Sequence, residues 1–176
     1  MFIIKNKYFL IIENIKDINL KNIKIRNKFF IIYRNNKNID SLSDLFRFRQ
    51  ICKSKAIKFY IANDIKLAIL LNSDGIYLSS YNKGLKFLNY RKLNFEIIGS
   101  AHNLKDIKIK EIQKVQSIFI SSLFKKNKNY LGLNKFKIIS KYTKKNIVAL
   151  GGVSKSNLIK LKLINISSFA GISYFE

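Results

Sequence analysis

Proline and tryptophan are absent from this 176-residue chain, glycine occurs seven times, and cysteine, methionine and histidine once each. The single cysteine, Cys52, cannot form an internal disulfide, so nothing points to an oxidising compartment. Acidic residues are scarce: 10 Asp and Glu stand against 34 Lys and Arg, a formal net charge of +24. No apolar run reaches the roughly 20 residues that span a bilayer. The first ten residues show no charged leader before a long apolar stretch and no small-residue cleavage site. The expected location is the cytoplasm, with no membrane partner.

What the chain has in quantity is Lys, Asn and Ile. A basic excess of this size, taken alone, predicts a nucleic acid or another anionic surface as partner. Here the lysines are spread along the whole chain without a basic run or motif. The same bias arises from A- and T-rich codons, so nucleic acid is not the expected partner. A net positive field still favours a phosphorylated substrate. Hydrophobic residues make up 48% of the chain, enough for a core. The length suits one domain over residues 1–176.

Short continuous apolar runs recur along that length. Phe9-Leu10-Ile11-Ile12, Phe29-Phe30-Ile31-Ile32-Tyr33, Lys58-Phe59-Tyr60-Ile61-Ala62 and Gly75-Ile76-Tyr77-Leu78 are the first four. Phe95 to Gly99, Ser117 to Ile120, Asn146 to Leu150 and Ser168 to Ile172 are the next four. Continuous rather than alternating runs predict strands covered on both faces, as in a parallel sheet. Helical patterns fall between several of them, over 41–55, 64–71, 103–115, 134–142 and 154–163. Ser41 is the expected cap of the first, with Leu42, Leu45, Phe46 and Phe48 as its buried face. Ser154 is the expected cap of the last.

Strand and helix in alternation predict an α/β fold, and eight strands predict a (β/α)8 TIM barrel. Such barrels typically run to about 250 residues, with about 200 as the usual minimum. This one is expected to be small and to lack an eighth helix after its last strand. The expectation is an incomplete barrel, or one completed by a partner subunit in a homo-oligomer.

Five segments, in order, resemble the thiamine phosphate synthase and TenI family. They are Asn63-Asp64 with Asp74-Gly75-Ile76-Tyr77-Leu78; Ser100-Ala101-His102-Asn103; Ile118-Phe119-Ile120 through Leu131-Gly132; Val148-Ala149-Leu150-Gly151-Gly152-Val153; and Gly171-Ile172-Ser173. The match is good over about residues 58–176 and looser before them. The resemblance implies a phosphate-binding barrel that joins a pyrimidine pyrophosphate to a thiazole phosphate, with Mg²⁺ as cofactor. The alternatives, ranked after it, are a thiazole tautomerase that needs no metal and a barrel that binds a phosphorylated ligand without turnover.

Active sites of these barrels lie at the C-terminal ends of the strands. Gly151 and Gly152, with Ile172 and Ser173 on the next strand, suit a phosphate, because glycine lets backbone N–H groups approach an anion. The alternative is a glycine turn with no ligand. By resemblance, Asn63 contacts pyrophosphate and Asp64 holds Mg²⁺, with Asn82 as the second metal position; Asp64 could instead cap the following helix. Arg34 suits bidentate phosphate recognition, although Ile32 and Asn36 depart from the family pattern around it, with Lys37 as a substitute lysine one residue late. Lys126 and Lys128 are the cations of the strand-six loop, which has no threonine where synthases carry Thr-x-Thr-Lys. His102 is the candidate proton carrier, or a structural histidine bonded to a loop carbonyl. Ser100 either contacts substrate or caps the helix after Asn103.

Overall fold

The computed structural model describes residues 7–20, 28–35, 40–93 and 95–172. The eight apolar runs form eight parallel strands: β1 (Lys7–Ile12), β2 (Phe29–Tyr33), β3 (Lys58–Ala62), β4 (Gly75–Leu78), β5 (Glu96–Ala101), β6 (Ser117–Ile120), β7 (Asn146–Leu150) and β8 (Ser168–Gly171). They pair in chain order, and β8 pairs back onto β1 with Lys7 opposite Ser168 and Leu10 opposite Gly171. The fold is a closed (β/α)8 barrel. Closure of the sheet comes from β8 itself and needs no strand from a partner.

The two-residue period of a strand sends alternate side chains inward. Phe9, Phe30, Tyr60, Tyr77 and Phe119 fill the lumen, with Ile98 and Val148. Phe9 stacks on Phe30 at 4.7 Å and meets Phe119 edge-on at 4.9 Å, while Tyr77 meets the same ring edge-on at 5.3 Å. The intervening residues face outward and join the helices in a second, larger apolar cluster.

Four α-helices cover the described part of the barrel: α1 (Leu42–Ser54), α2 (Ile65–Leu70), α3 (Leu104–Ile112) and α4 (Gly132–Ser140). Ser41 caps α1 as expected, accepting from Asp44 N at 3.2 Å. The buried stripe is Leu45, Phe48, Arg49 and Cys52, whereas Leu42 and Phe46 are 49% and 40% exposed. The expected face is therefore wrong at two positions. The true stripe has helical spacing but includes an arginine, which is tolerated because its charge is met. Arg49 Nε and Nη2 donate to Asn72 O at 3.0 and 2.8 Å, and Nη1 lies 2.9 Å from Asp74 Oδ2.

The connections after β4 and β7 are 3-10 turns instead of α-helices, over Lys86–Leu93 and Leu158–Ile164. The second begins at Asn157, not Ser154; Ser154 N donates to Asn157 Oδ1 at 2.9 Å. Asn165, in the left-handed region at φ 56°, ends it. Helix α4 also starts two residues before the expected Asn134. Such short connections are how a barrel that usually needs about 250 residues is compressed here. Among the described residues, no helix is long and apolar enough to cross a membrane.

Candidate functional site

The C-terminal ends of β2, β3 and β4 carry one group of candidates. Arg34 follows β2, its backbone N–H bonded to Ile12 O at 2.8 Å. Its Nε is buried and has no hydrogen-bond partner among the described residues. A buried donor left open costs free energy, so its position calls for an acceptor from outside the chain. The Arg34 charge reaches the Tyr77 hydroxyl inside the barrel. Burial raises the Tyr77 pKa, opposed by a hydrogen bond with Ser100 and by the nearby Arg34. Ser100 is buried on β5 and faces Tyr77; Asn103 caps α3, so Ser100 does not.

Asn63 adopts φ 62°, a left-handed conformation that asparagine tolerates. Its Nδ2 donates to Ser79 Oγ and Tyr81 OH, both at 2.9 Å. Its Oδ1 accepts from Ser79 N at 2.9 Å and from Asn82 Nδ2 at 3.2 Å. The whole amide is engaged in holding the loop after β4. Asp64 caps α2 through Oδ1, which accepts from Leu67 N at 3.0 Å. Its carboxylate is exposed and its second oxygen is not used in that cap. Asn82 Oδ1 receives only a long contact from Gly84 N at 3.3 Å. Asn63, the chain neighbour of Asp64, is bonded to Asn82, and carboxylate and amide oxygens are the donor types a hard cation takes. Among the described residues, no group of three His, Cys, Asp or Glu side chains forms a self-sufficient metal site.

His102 follows β5. Its backbone N–H donates to Asp106 Oδ2 at 3.0 Å, and Asn103 Oδ1 accepts from Asp106 N at 2.9 Å, which fixes the start of α3. The ring Nδ1 lies 2.9 Å from Ser121 O and 3.0 Å from Ser121 Oγ. A carbonyl oxygen can only accept, so the contact with Ser121 O is a hydrogen bond in the tautomer that carries its proton on Nδ1, and in that tautomer Nε2 presents a lone pair. The bond to a loop carbonyl, one of the two alternatives for this residue, is present. It also leaves the other ring nitrogen able to take a proton.

The glycines after β7 have φ of 97° for Gly151 and 76° for Gly152. The strand-six loop lies against them: Phe124 N and Lys125 N both donate to Gly151 O, at 2.8 and 3.1 Å. A Cβ on Gly152 would lie 2.6 Å from Lys125 N, and one on Gly151 would lie 2.5 Å from Ser122 Oγ. Loop packing therefore requires both glycines. Ser122 organises that loop, its N–H donating to Asn129 O at 2.9 Å and its Oγ to Lys125 O at 2.8 Å. Lys126 and Lys128 project from it exposed. Ile172 is 58% exposed after β8; Ser173, like Asn36 and Lys37, lies outside the described residues.

A cavity of about 410 Å³ opens at the opposite end of the barrel, lined by Lys58, Tyr60 and Glu96 among others. Lys58 Nζ and the Tyr60 hydroxyl both reach Glu96 Oε2, at 2.7 and 2.8 Å. This N-terminal end of a barrel is associated with stability rather than chemistry. Sequence reasoning passed over Ser121 and Ser122, which are buried beside His102 and Gly151. It also passed over Lys110, whose signal was a lysine on the inward face of α3, one turn after Ile107.

A family model described as thiamine monophosphate synthase matches residues 3–175. The chain belongs to that family. It is 34% identical over 143 residues to the thiamine-phosphate synthase of Pelagibacter ubique, covering 77% of this chain and 68% of that protein. It is 30% identical over 139 residues to the thiamine-phosphate synthase of Prochlorococcus marinus subsp. pastoris, covering 76% of this chain but only 40% of that longer protein. Among solved structures, a thiamine phosphate pyrophosphorylase from Pyrococcus furiosus superposes with a TM-score of 0.75 at 17% identity, over 96% of this chain and 85% of that one. A citrate synthase variant superposes with a TM-score of 0.65 at 11% identity, covering 94% of this chain and 85% of that one. Likeness of fold alone thus spans unrelated chemistries.

Proposed function

We propose that this chain is a thiamine phosphate synthase, joining a pyrimidine pyrophosphate to a thiazole phosphate. The bond between the pyrimidine methylene carbon and the pyrophosphate oxygen breaks, and the thiazole nitrogen bonds to that carbon. Pyrophosphate leaves with the electron pair. The chemistry rests on stabilising charge that develops on the leaving group. The observation that carries this reading is Arg34, whose buried Nε lacks a partner among the described residues at the C-terminal end of the barrel strands.

Arg34 receives the pyrophosphate as an anion, and its guanidinium matches a phosphate oxygen pair. Asp64 and Asn82 would hold Mg²⁺, which supplies further neutralisation of pyrophosphate charge when bound. Lys126 and Lys128 add mobile positive charge from the strand-six loop. The thiazole phosphate sits at the strand-seven and strand-eight ends, against Gly151, Gly152 and Ile172. Ser100 holds Tyr77 facing Arg34.

The test is formation of thiamine phosphate from the two substrates with Mg²⁺. Wild type is expected to turn over, and Arg34→Met is expected to lower kcat by about 100-fold, the scale for removing one preorganised donor. A wild type that binds thiazole phosphate but forms no product refutes the proposal.

One observation favours a second reading. With Nδ1 of His102 committed to Ser121 O, Nε2 is set to move a proton on a bound thiazole phosphate, as a tautomerase requires. Turnover of thiazole phosphate alone, lost in His102→Ala and retained in Asp64→Ala, would establish it.

A further inference from the structure

Helix α3 packs on β5 and turns Ile107 and Lys110 inward; the lysine is fully buried. Burying an ammonium is costly, and an apolar side chain would occupy the same space without that penalty. Burial lowers its pKa to about 8, while Asp106 acts in the opposite direction, so the side chain is still charged at neutral pH. Its Nζ donates to Ser79 O and Asn82 O, both at 2.8 Å, and to Gln113 Oε1 at 2.9 Å. Three donors meet three acceptors, the full capacity of an ammonium. Gln113, one turn further, donates from Nε2 to Asn82 O at 3.0 Å and to Gly84 O at 2.8 Å.

The strand beneath leaves room for this reach. A Cβ on Gly99 would lie 2.9 Å from both Lys110 Cδ and Leu78 O. From the other side, Asn63 holds the same loop by Ser79 N, Ser79 Oγ, Tyr81 OH and Asn82 Nδ2. The loop is thus gripped twice: its carbonyls by α3 and its polar side by the end of β3. No apolar packing explains why its carbonyls converge on a charged nitrogen.

We infer that Lys110 is a tethered cation that positions the loop after β4, and through it Asn82, on the Asn63–Asp64 end of the site. It is a positioning residue that sets affinity for the pyrophosphate-bearing substrate. The choice of substrate rests on the function proposed above; the grip on the loop does not.

The experiment is amide hydrogen exchange in wild type and Lys110→Ala, read at Ser79, Asn82 and Gly84, with KM and kcat for the pyrimidine pyrophosphate measured alongside. Exchange at these amides is expected to rise about tenfold or more while strand amides stay protected. KM should rise about tenfold with kcat changed less than about threefold. Methylammonium, which can refill the site and donate, should restore both; tetramethylammonium, which cannot donate, should not. Unchanged exchange at the three amides overturns the inference, as does equal rescue by the two ions. If Lys110→Ala loses strand protection too, Gln113→Ala decides on the same amides: opening at Asn82 and Gly84 supports the grip, and unchanged exchange overturns it. If wild type forms no thiamine phosphate, the synthase reading falls, and the exchange result still decides the role of Lys110.

Discussion

Replacing Gly152 with alanine separates a glycine needed by the fold from one needed by a ligand. The residue sits at φ 76°, where a side chain is strained, and its new Cβ would lie 2.6 Å from Lys125 N and 3.1 Å from Lys125 Cα. The left-handed conformation costs about 1–2 kcal/mol for an L-residue. Overpacking against backbone adds about 1–3 kcal/mol. The strand-six loop cannot yield freely, because Phe124 N and Lys125 N are bonded to Gly151 O. The total is a destabilisation of about 2–5 kcal/mol. At about 2–4 °C per kcal/mol for a chain of this size, the melting temperature should fall by about 4–20 °C. The chain has no tryptophan, so circular dichroism is the natural probe, by heating and in urea. Gly84→Ala is the control: its Cβ would meet only Asn82 Oδ1 at 3.6 Å, outside the left-handed region. That change should be neutral or stabilising by up to about 1 kcal/mol. A Gly152→Ala protein as stable as wild type would refute the loop-packing argument. If it had also lost phosphate binding, the glycine would serve the ligand alone.

Cys52 is fully buried, and burial pushes its thiol up to about 12 against the pull of Arg49. The native protein should resist iodoacetamide at pH 8 and react once unfolded in urea; equally fast alkylation of the native protein would contradict this. Lys110 gives a pH dependence with a definite sign. Its folded pKa of about 8 lies below the ordinary 10.5, so above pH 8 the unfolded chain holds a proton that the folded chain has released. Its contribution to stability therefore rises between about pH 8 and 10.5. Urea titrations should show wild type gaining on Lys110→Met over that window; a shrinking difference would contradict the shift.

The barrel was legible because buried parallel strands read as continuous apolar runs. β2, β3, β4, β6 and β7 begin and end where those runs do. β5 continues through Ser100 and Ala101, since a polar residue facing the lumen breaks an apolar run but not a strand. Arg49 hid the buried stripe of α1 in the same way, because its neutralising partners, Asn72 O and Asp74, lie more than twenty residues away in the chain. The candidate site was legible as residue types at strand ends, and no further. Asn63, Gly151 and Gly152 could be named as ligand contacts, yet spacing does not tell whether an amide is spent on neighbouring loops or whether a glycine makes room for another segment. Lys110 escaped because a lysine in a lysine-rich helix looks like a solvated one; only the convergence of Ser79 O, Asn82 O and Gln113 on its Nζ separates it from the rest.

The two candidate chemistries occupy different parts of the barrel mouth. The pyrophosphate groups, Arg34, Asp64 and Asn82, follow β2, β3 and β4, and the proton-transfer pair, His102 with Ser121, follows β5 and β6. Between them stand Tyr77 and Ser100, bonded to one another, with the Arg34 charge on the Tyr77 side. A synthase needs the first group to meet charge as it leaves; a tautomerase needs the second to shuttle a proton. Substitution at Asp64 therefore leaves the His102–Ser121 bond intact, and substitution at His102 leaves the Asn63-centred network intact. Asn82 is uncharged where a carboxylate would bind Mg²⁺ more tightly; it bears only on the first chemistry, and the grip of Lys110 and Gln113 on the Asn82 carbonyl acts on that same part. Substitution of Lys110 is accordingly expected to weaken the first chemistry and to leave the second untouched, whichever of the two the chain performs.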